Sequence, residues 1–292
     1  MRLIEKVWFQ NHSAKYWFVP LLLPLTGLFY LVSLVRRLAF KIGLLKSFKV
    51  SKPVIVVGNI GIGGNGKTPV VIHLVELAKI LGLKSGVISR GYGGAAETYP
   101  FLLDETSTTI QAGDEPVLIY QRCKVPVVVG ADRVANAQML VDQGCDLIIS
   151  DDGLQHYRLQ RDLEVVVIDG KRLFGNGLLL PAGPLREGQW RLNRSDLLIF
   201  NGSKPENNTI ENDKSLIMKL AASELINLKT GEKISLDSFL KQWQIVNAIA
   251  GIGDPQRFFS TLEALSFNVE NQQGFVDHKN FMINDFNQFK TN

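Results

Sequence analysis

An α/β fold, a parallel sheet with helices on both faces, is what this sequence predicts, and three observations carry the prediction. Short, almost uninterrupted apolar runs recur along the chain: "PVIVV" (53–57), "SGVIS" (85–89), "VPVVV" (125–129), "DLIIS" (146–150), "LEVVVI" (163–168) and "DLLIF" (196–200). Runs so short and so continuously apolar suit strands buried on both faces, the habit of a parallel sheet. Between them the spacing turns helical, most clearly from about 67 to 81, where Val71, Leu74, Val75, Ala78 and Leu81 recur. Third, the first strand runs directly into "GNIGIGGNGKTPVV" (58–71). Strand, glycine-rich turn and helix in that order make the start of a β-α-β unit.

Ahead of the first strand the chain has a different character. Residues 1–52 contain nine Lys/Arg against Glu5 alone, a net charge of +8, whereas the rest holds 23 basic and 27 acidic residues, or −4. A basic excess confined to one end argues against general nucleic-acid binding and for an anionic membrane surface as partner. Within the segment, "YWFVPLLLPLTGLFYLVSLV" (16–35) carries no charge, and twenty helical residues cover roughly 30 Å of hydrocarbon. Pro20, Pro24 and Gly27 predict a broken helix or a hairpin of short helices inserted at the interface, with Trp8, Trp17, Phe18, Phe29 and Tyr30 at the headgroup level. Cys123 and Cys145 lack metal-site spacing and are expected as buried small hydrophobes of a reducing compartment.

Two motifs then define a chemistry. Gly61 to Thr68 fits G-x-x-x-x-G-K-[ST]. In such a loop Gly61, Gly63, Gly64, Asn65 and Gly66 offer backbone N–H groups to phosphate oxygens, Lys67 reaches the β- and γ-phosphates, and Thr68 offers its hydroxyl to Mg²⁺. Pro69 falls in the first helical turn, where its missing N–H costs little. "DLIISDDG" places Asp151 and Asp152 at the end of an apolar strand, where a carboxylate can approach the Mg²⁺ of a nucleotide. Loop and acidic strand end together predict a P-loop NTPase-like sheet binding a nucleoside triphosphate with Mg²⁺.

Further short strings follow in a particular order: "IGGNGKT", "SRGYGG" (89–94), "GDEP" (113–116), "GADR" (130–133), "DDGLQH" (151–156), "LPAGPLRE" (180–187) and "DH" (277–278). In that order, behind a basic apolar N-terminus, the chain resembles the tetraacyldisaccharide 4'-kinases of lipid A biosynthesis along essentially its whole length. The resemblance implies transfer of the γ-phosphate of ATP to the 4'-hydroxyl of a tetraacylated glucosamine disaccharide 1-phosphate, giving lipid IVA, at the cytosolic face of the Gram-negative inner membrane. A monomer, peripheral or shallowly inserted through its N-terminal segment, is expected.

A sugar hydroxyl has a high pKa, so its attack on phosphorus is helped by a carboxylate or a carboxylate–His pair. By themselves the residues leave Asp114 as an N-cap for the helix that Pro116 would start, and His278 as a surface loop residue. The resemblance implies instead that Asp114 is the base and His278 its partner, 164 positions apart on two lobes. Glu115 suits a water-mediated Mg²⁺ contact or a dipole-favoured first helical turn. Arg90 and Arg133 each follow a turn after a strand, a place that suits either the edge of Lys67, facing the transferring phosphoryl, or a surface ion pair. Gln155, His156, Arg186 and Glu187 fall in motifs that the resemblance places near nucleotide or acceptor. There a guanidinium suits the 1-phosphate and a carboxylate suits hydroxyls.

The boundaries expected are a membrane-associating segment 1–52, a kinase core 53–205, a linker or hinge 206–240 around the polar "SKPENNTIENDKS" (203–215), and a second α/β lobe 241–292. "GIGDPQ" lacks the third glycine of a dinucleotide fingerprint and reads as a strand-to-helix turn. The family pattern continues past the "DH" region with a T-E-K-D-like stretch, so the second lobe is expected to lack its last strands. A membrane-recruited ATPase switch of the partition-protein type is the competing function, but those loops carry a second Lys where this chain has Ile62. A nucleotide-binding regulatory module without turnover is the third reading.

Overall fold

The computed structural model describes residues 3–204, 213–276, 279 and 281–289. The chain divides into two compact units, Met1–Lys219 and Leu220–Asn292. In the first, an eight-stranded sheet is assembled from β1 (Val54–Gly58), β2 (Ser85–Ser89), β3 (Phe101–Leu102), β4 (Val127–Val129), β5 (Leu147–Asp151), β6 (Leu163–Asp169), β7 (Leu197–Asn201) and β8 (Ser215–Met218). Their spatial order is β3-β4-β2-β5-β1-β6-β7-β8. Only β3 runs antiparallel to its neighbour, so the P-loop NTPase-like α/β architecture anticipated from the apolar runs is present.

Both faces of the sheet are buried, and successive residues of one strand serve opposite layers. Val56, Ile88, Ile148, Val166 and Ile168 belong to one core, while Val57, Val87, Ile149, Val165 and Val167 belong to the other. On the second face lie α3 (Lys67–Ile80), through Val71 and Val75, and α5 (Asp114–Cys123), through Val117 and Ile119. On the first lies α6 (Arg133–Asp142), through Ala137 and Leu140. Cys123 and Cys145 are free and buried, one in each layer.

Two strands of this sheet escaped the sequence pattern. β3 is two residues long and half-buried, too short for any periodicity. β8 falls in the stretch read as a linker, yet it pairs with β7 from Leu198↔Ser215 to Asn201↔Met218. As an edge strand with Leu216 and Ile217 exposed, it has only one neighbour to bury it, and its flanks are polar.

The N-terminal segment also departs from expectation. After α1 (Leu3–Phe9) comes one continuous helix, α2 (Lys15–Lys41), 27 residues long with Pro20 and Pro24 inside it. It is neither a broken helix nor a hairpin. The prolines are four apart, so the donor that Pro24 lacks would have met the carbonyl of Pro20, and both losses fall on one strip of the N-terminal half. By length and composition α2 can cross a membrane, and Leu21, Leu25, Leu28, Val32 and Val35 are exposed along it. Its few buried positions dock it on the core. Thr26 Oγ1 accepts from Ala182 N–H at 3.0 Å and lies 3.5 Å from Leu179 O. Trp8, assigned above to the headgroup level, is instead buried and donates its indole N–H to Pro181 O at 3.1 Å.

The second unit contains a hairpin of β9 (Glu224–Ile226) and β10 (Lys233–Ser235), then α7 (Leu236–Gln242). A β-α-β unit follows from β11 (Ile245–Ala250), α8 (Pro255–Ala264) and β12 (Asn268–Gly274), with β11 and β12 parallel. Ala248, Ala250 and Phe259 form its small core. "GIGDPQ" is the turn from β11 to α8, with Pro255 at the helix start.

Thr26 is the polar peg of α2, so Thr26→Val is expected to leave Ala182 N–H unsatisfied and cost about 1–2 kcal/mol. Thermal melts and amide hydrogen exchange at Ala182 measure both; an unchanged exchange rate would show that the peg bears no load.

Candidate active site

The phosphate loop is braced on two sides. Gly66, in the left-handed region at φ 89°, is the N-cap of α3. A Cβ there would stand 2.4 Å from Asn201 Nδ2, and that same amide donates to Asn65 O at 3.2 Å. Only glycine lets the end of β7 come this close. On the other side Ile62 N–H donates to Pro184 O at 2.9 Å, and Arg186 N–H to Ile60 O at 2.7 Å. "LPAGPLRE" is therefore a wall of the loop, although 120 residues separate Ile60 from Leu180.

Beside the loop lies the end of β5, where Val57 of β1 is the register partner of Asp151. Asp151 is 1% exposed, and neither carboxylate oxygen has a hydrogen-bond partner. Burial, then the charge of Glu115, pushes its pKa up to about 7 against the pull of Lys67. Asp152, at φ 47°, turns the other way. Its carboxylate stands 3.8 Å from Lys67 Nζ and 3.1 Å from Arg186 Nη1. Burial acts to raise its pKa, but Lys67 and Arg186 outweigh that and leave it lowered. Thr68 Oγ1 lies 3.5 Å from Glu115 Oε1. An orphaned buried carboxylate, a hydroxyl at the helix start and a second carboxylate nearby fit Mg²⁺ brought in on a nucleotide. Among the described residues no group of three or more His, Cys, Asp or Glu is placed to hold a metal. A magnesium site of one or two carboxylates completed by phosphates and water needs none.

Of the other candidates, Arg133 is buried rather than facing outward, while Arg90, Asp114 and Glu115 are exposed. Arg133 points inward. It is 4% exposed and donates inward to Ser150 Oγ at 2.8 Å and to the Asp152 carbonyl at 3.1 Å. Burial first, then Arg90 and Arg161, lower its pKa, with Asp151 and Asp152 opposing. Held by Ser150 and the Asp152 carbonyl, Arg133 is a brace under the acidic strand end. Arg90 is exposed just past β2. Asp114 and Glu115 are exposed in the first turn of α5, and the N-cap there is Gly113 at φ 88°. His278 lies outside the described residues.

Glu187 is not available to substrate hydroxyls. It is 3% exposed and accepts from Tyr157 Oη and from Gln155 Nε2. His156 is half-buried; burial, then Arg133 and Arg161, lowers its pKa to about 4, leaving it neutral at pH 7. Asn201, Tyr157 and Arg191 lie outside the glycine-rich and acidic strings, and Ser150 inside one is overshadowed by its carboxylates; only their long-range partners mark them.

A phosphate loop leading out of the central strand, beside an acidic strand end, places the chain among the P-loop nucleotide-binding α/β proteins. Comparisons with known proteins narrow that class. The family model for tetraacyldisaccharide-1-P 4'-kinase, LpxK, matches residues 18–292. The tetraacyldisaccharide 4'-kinase of Colwellia psychrerythraea is 65% identical over 292 residues, covering 100% of this chain and 85% of that protein. That of Aliivibrio fischeri strain MJ11 is 51% identical over 286 residues, covering 98% and 84%. A crystal structure of LpxK from Aquifex aeolicus in complex with ATP superposes with a TM-score of 0.75 at 29% identity, covering 94% of this chain and 85% of that one. The chain belongs to the tetraacyldisaccharide 4'-kinase family. The partition-type ATPase switch finds no support in these comparisons.

Asp151→Asn mimics the protonated acid, so in Mg²⁺-free protein it is expected to raise the melting temperature at pH 8 by on the order of 5 °C. The sign follows from the raised pKa: the ionised carboxylate is costly in the fold, and wild-type stability falls as pH rises from the unfolded pKa near 4 through about 7. The gain should disappear at pH 4, and a gain independent of pH would contradict this origin.

Proposed function

We propose that this chain transfers the γ-phosphate of ATP to the 4'-hydroxyl of a tetraacylated glucosamine disaccharide 1-phosphate, yielding lipid IVA and ADP. Family membership over residues 18–292 carries the proposal, supported by the pairing of Lys67 and Asp152 at the mouth of the phosphate loop. ATP bound to the Aquifex aeolicus relative supports the choice of nucleotide.

In this reading the N–H groups from Gly61 to Gly66 hold the phosphates, and Lys67 turns from Asp152 to the β- and γ-oxygens. Thr68, Asp151, Asp152 and Glu115 are the residues that would hold Mg²⁺, which when bound would offset phosphate charge. Asp114 accepts the proton of the 4'-hydroxyl as its oxygen bonds to the γ-phosphorus and the bond to the β-phosphate oxygen breaks. His278 is its partner by resemblance. Arg90, exposed at the same sheet edge, steadies the transferring phosphoryl, while Arg186 faces the acceptor's 1-phosphate side with Gln155 and His156. Arg133 acts only through Asp152.

Residues 1–52 form the membrane-associating part, the sheet unit the kinase core, and the second unit the lobe that carries His278. Attachment is to the cytosolic face of the Gram-negative inner membrane, as a monomer. Arg36 stacks on Phe40 and Tyr157, and Arg37 on Trp190, so Lys41 and Lys46, both exposed, are the better headgroup contacts.

γ-Labelled ATP with Mg²⁺ and detergent-dispersed lipid A precursor tests the reaction: label should enter the lipid, and Lys67→Ala should reduce transfer on the order of 100-fold or more. Near-normal turnover by Lys67→Ala would sink the kinase assignment. In vesicle sedimentation, Lys41→Gln with Lys46→Gln should weaken partitioning onto anionic lipid about 10-fold and leave neutral vesicles unaffected; equal loss on both surfaces would remove the electrostatic part of the proposal.

A further inference from the structure

Under the "LPAGPLRE" wall lies a cluster of charges that the mechanism above leaves without a task. Glu187 accepts from Tyr157 Oη on one oxygen; its other oxygen accepts from Gln155 Nε2 at 3.2 Å and lies 3.7 Å from Arg191 Nε. Arg191 also pairs with Glu164, which Arg161 Nε meets at 3.1 Å. Glu164, Glu187 and Arg191 are all buried. Two carboxylates against two guanidiniums is the balance that burial requires, because one charge left unpartnered there would be strongly destabilising.

Gln155 connects this cluster to the nucleotide side. Its amide nitrogen donates both to Asn59 O at 3.0 Å and to Glu187 at 3.2 Å. Turning the amide over would set its oxygen against a carbonyl and a carboxylate, so its orientation is fixed. Its oxygen therefore faces Arg186 Nη1 at 3.5 Å. That nitrogen lies 3.1 Å and 3.3 Å from the two oxygens of Asp152, which faces Lys67.

Tyr157 connects the same cluster to α2. Its ring lies 5.8 Å from that of Phe40, and the guanidiniums of Arg36 and Arg161 sit over it at 5.8 Å and 5.6 Å. Arg36 and Phe40 belong to the last turns of α2. Burial, then the Glu187 charge, pushes the phenol's pKa well up, so the hydroxyl stays a donor across the working range.

We infer that Tyr157 is a positioning residue of the kinase: its hydroxyl holds Glu187, which orients Gln155 and Arg186 against Asp152, while its ring seats the end of α2. One side chain then ties the attachment of the apolar helix to the geometry of the acceptor-side cation. The inference deepens the proposed function and rests on it.

Tyr157→Phe keeps the ring and removes the hydroxyl. In the lipid-labelling assay its kcat should fall about 10-fold while the KM for ATP changes less than about 2-fold and vesicle partitioning is unchanged. In a Glu187→Gln background the same substitution should cost less than about 2-fold, because both act through one carboxylate. Tyr157→Leu should in addition speed hydrogen exchange in the last turns of α2, which Tyr157→Phe should not. Full activity in Tyr157→Phe, losses that multiply in the double variant, or a Tyr157→Phe protein that does not fold would each overturn the positioning role while leaving wild-type labelling intact. Absence of labelling by the wild type would overturn the kinase assignment and the inference with it.

Discussion

The parallel pairing of β1 with β5 sets Val57 opposite Asp151, and most of the chemistry follows from that register. A chain leaving β1 has to pass the end of β5, so the phosphate loop and the acidic pair become neighbours without any contact between their own residues being needed to bring them together. Because both strands are covered on both faces, the carboxylate of Asp151 is buried with no side-chain or backbone hydrogen-bond partner. Its desolvation is a local cost that the packed sheet around it can bear, and it leaves the group ready for a cation. Arg133 fits the same account. With Ser150 and the Asp152 carbonyl as its acceptors, it ties α6 to the strand end and stops the acidic turn from shifting.

A second constraint comes from the segment 178–187, which makes backbone bonds in two directions. Pro184 O and Arg186 N–H meet Ile62 and Ile60 of the phosphate loop. Pro181 O and Ala182 N–H meet Trp8 and Thr26 of the N-terminal helices. An apolar helix and a polar phosphate loop are thereby fastened to one short stretch of chain. The cations at the end of α2 contribute to the same fastening. Arg36 and Arg37 lie over Tyr157 and Trp190, where a guanidinium keeps its hydration on one side and gains an aromatic face on the other.

Much of this was legible in the residues because it is local. Six of the eight sheet strands announce themselves as apolar runs, α3 by its spacing, and the nucleotide site by glycines and a lysine whose roles depend on backbone geometry a few residues long. β8 was hidden because an edge strand with exposed Leu216 and Ile217 has the composition of a linker. The continuity of α2 was hidden because prolines break isolated helices in water, whereas a helix pegged through Thr26 and otherwise apolar tolerates them.

The sequence by itself determined the class of fold, the phosphate loop, the acidic strand end and the order of motifs that marks the family. Only the tertiary structure decided where side chains go: Arg133 inward to Ser150, Glu187 into a buried ion cluster, Trp8 to Pro181 and Arg186 to Asp152. The physical reason is range. Backbone conformation answers to neighbours within a few residues, but a side chain settles wherever burial and a partner balance, and the partners of Arg133, Arg186 and Trp8 stand between 17 and 173 residues away.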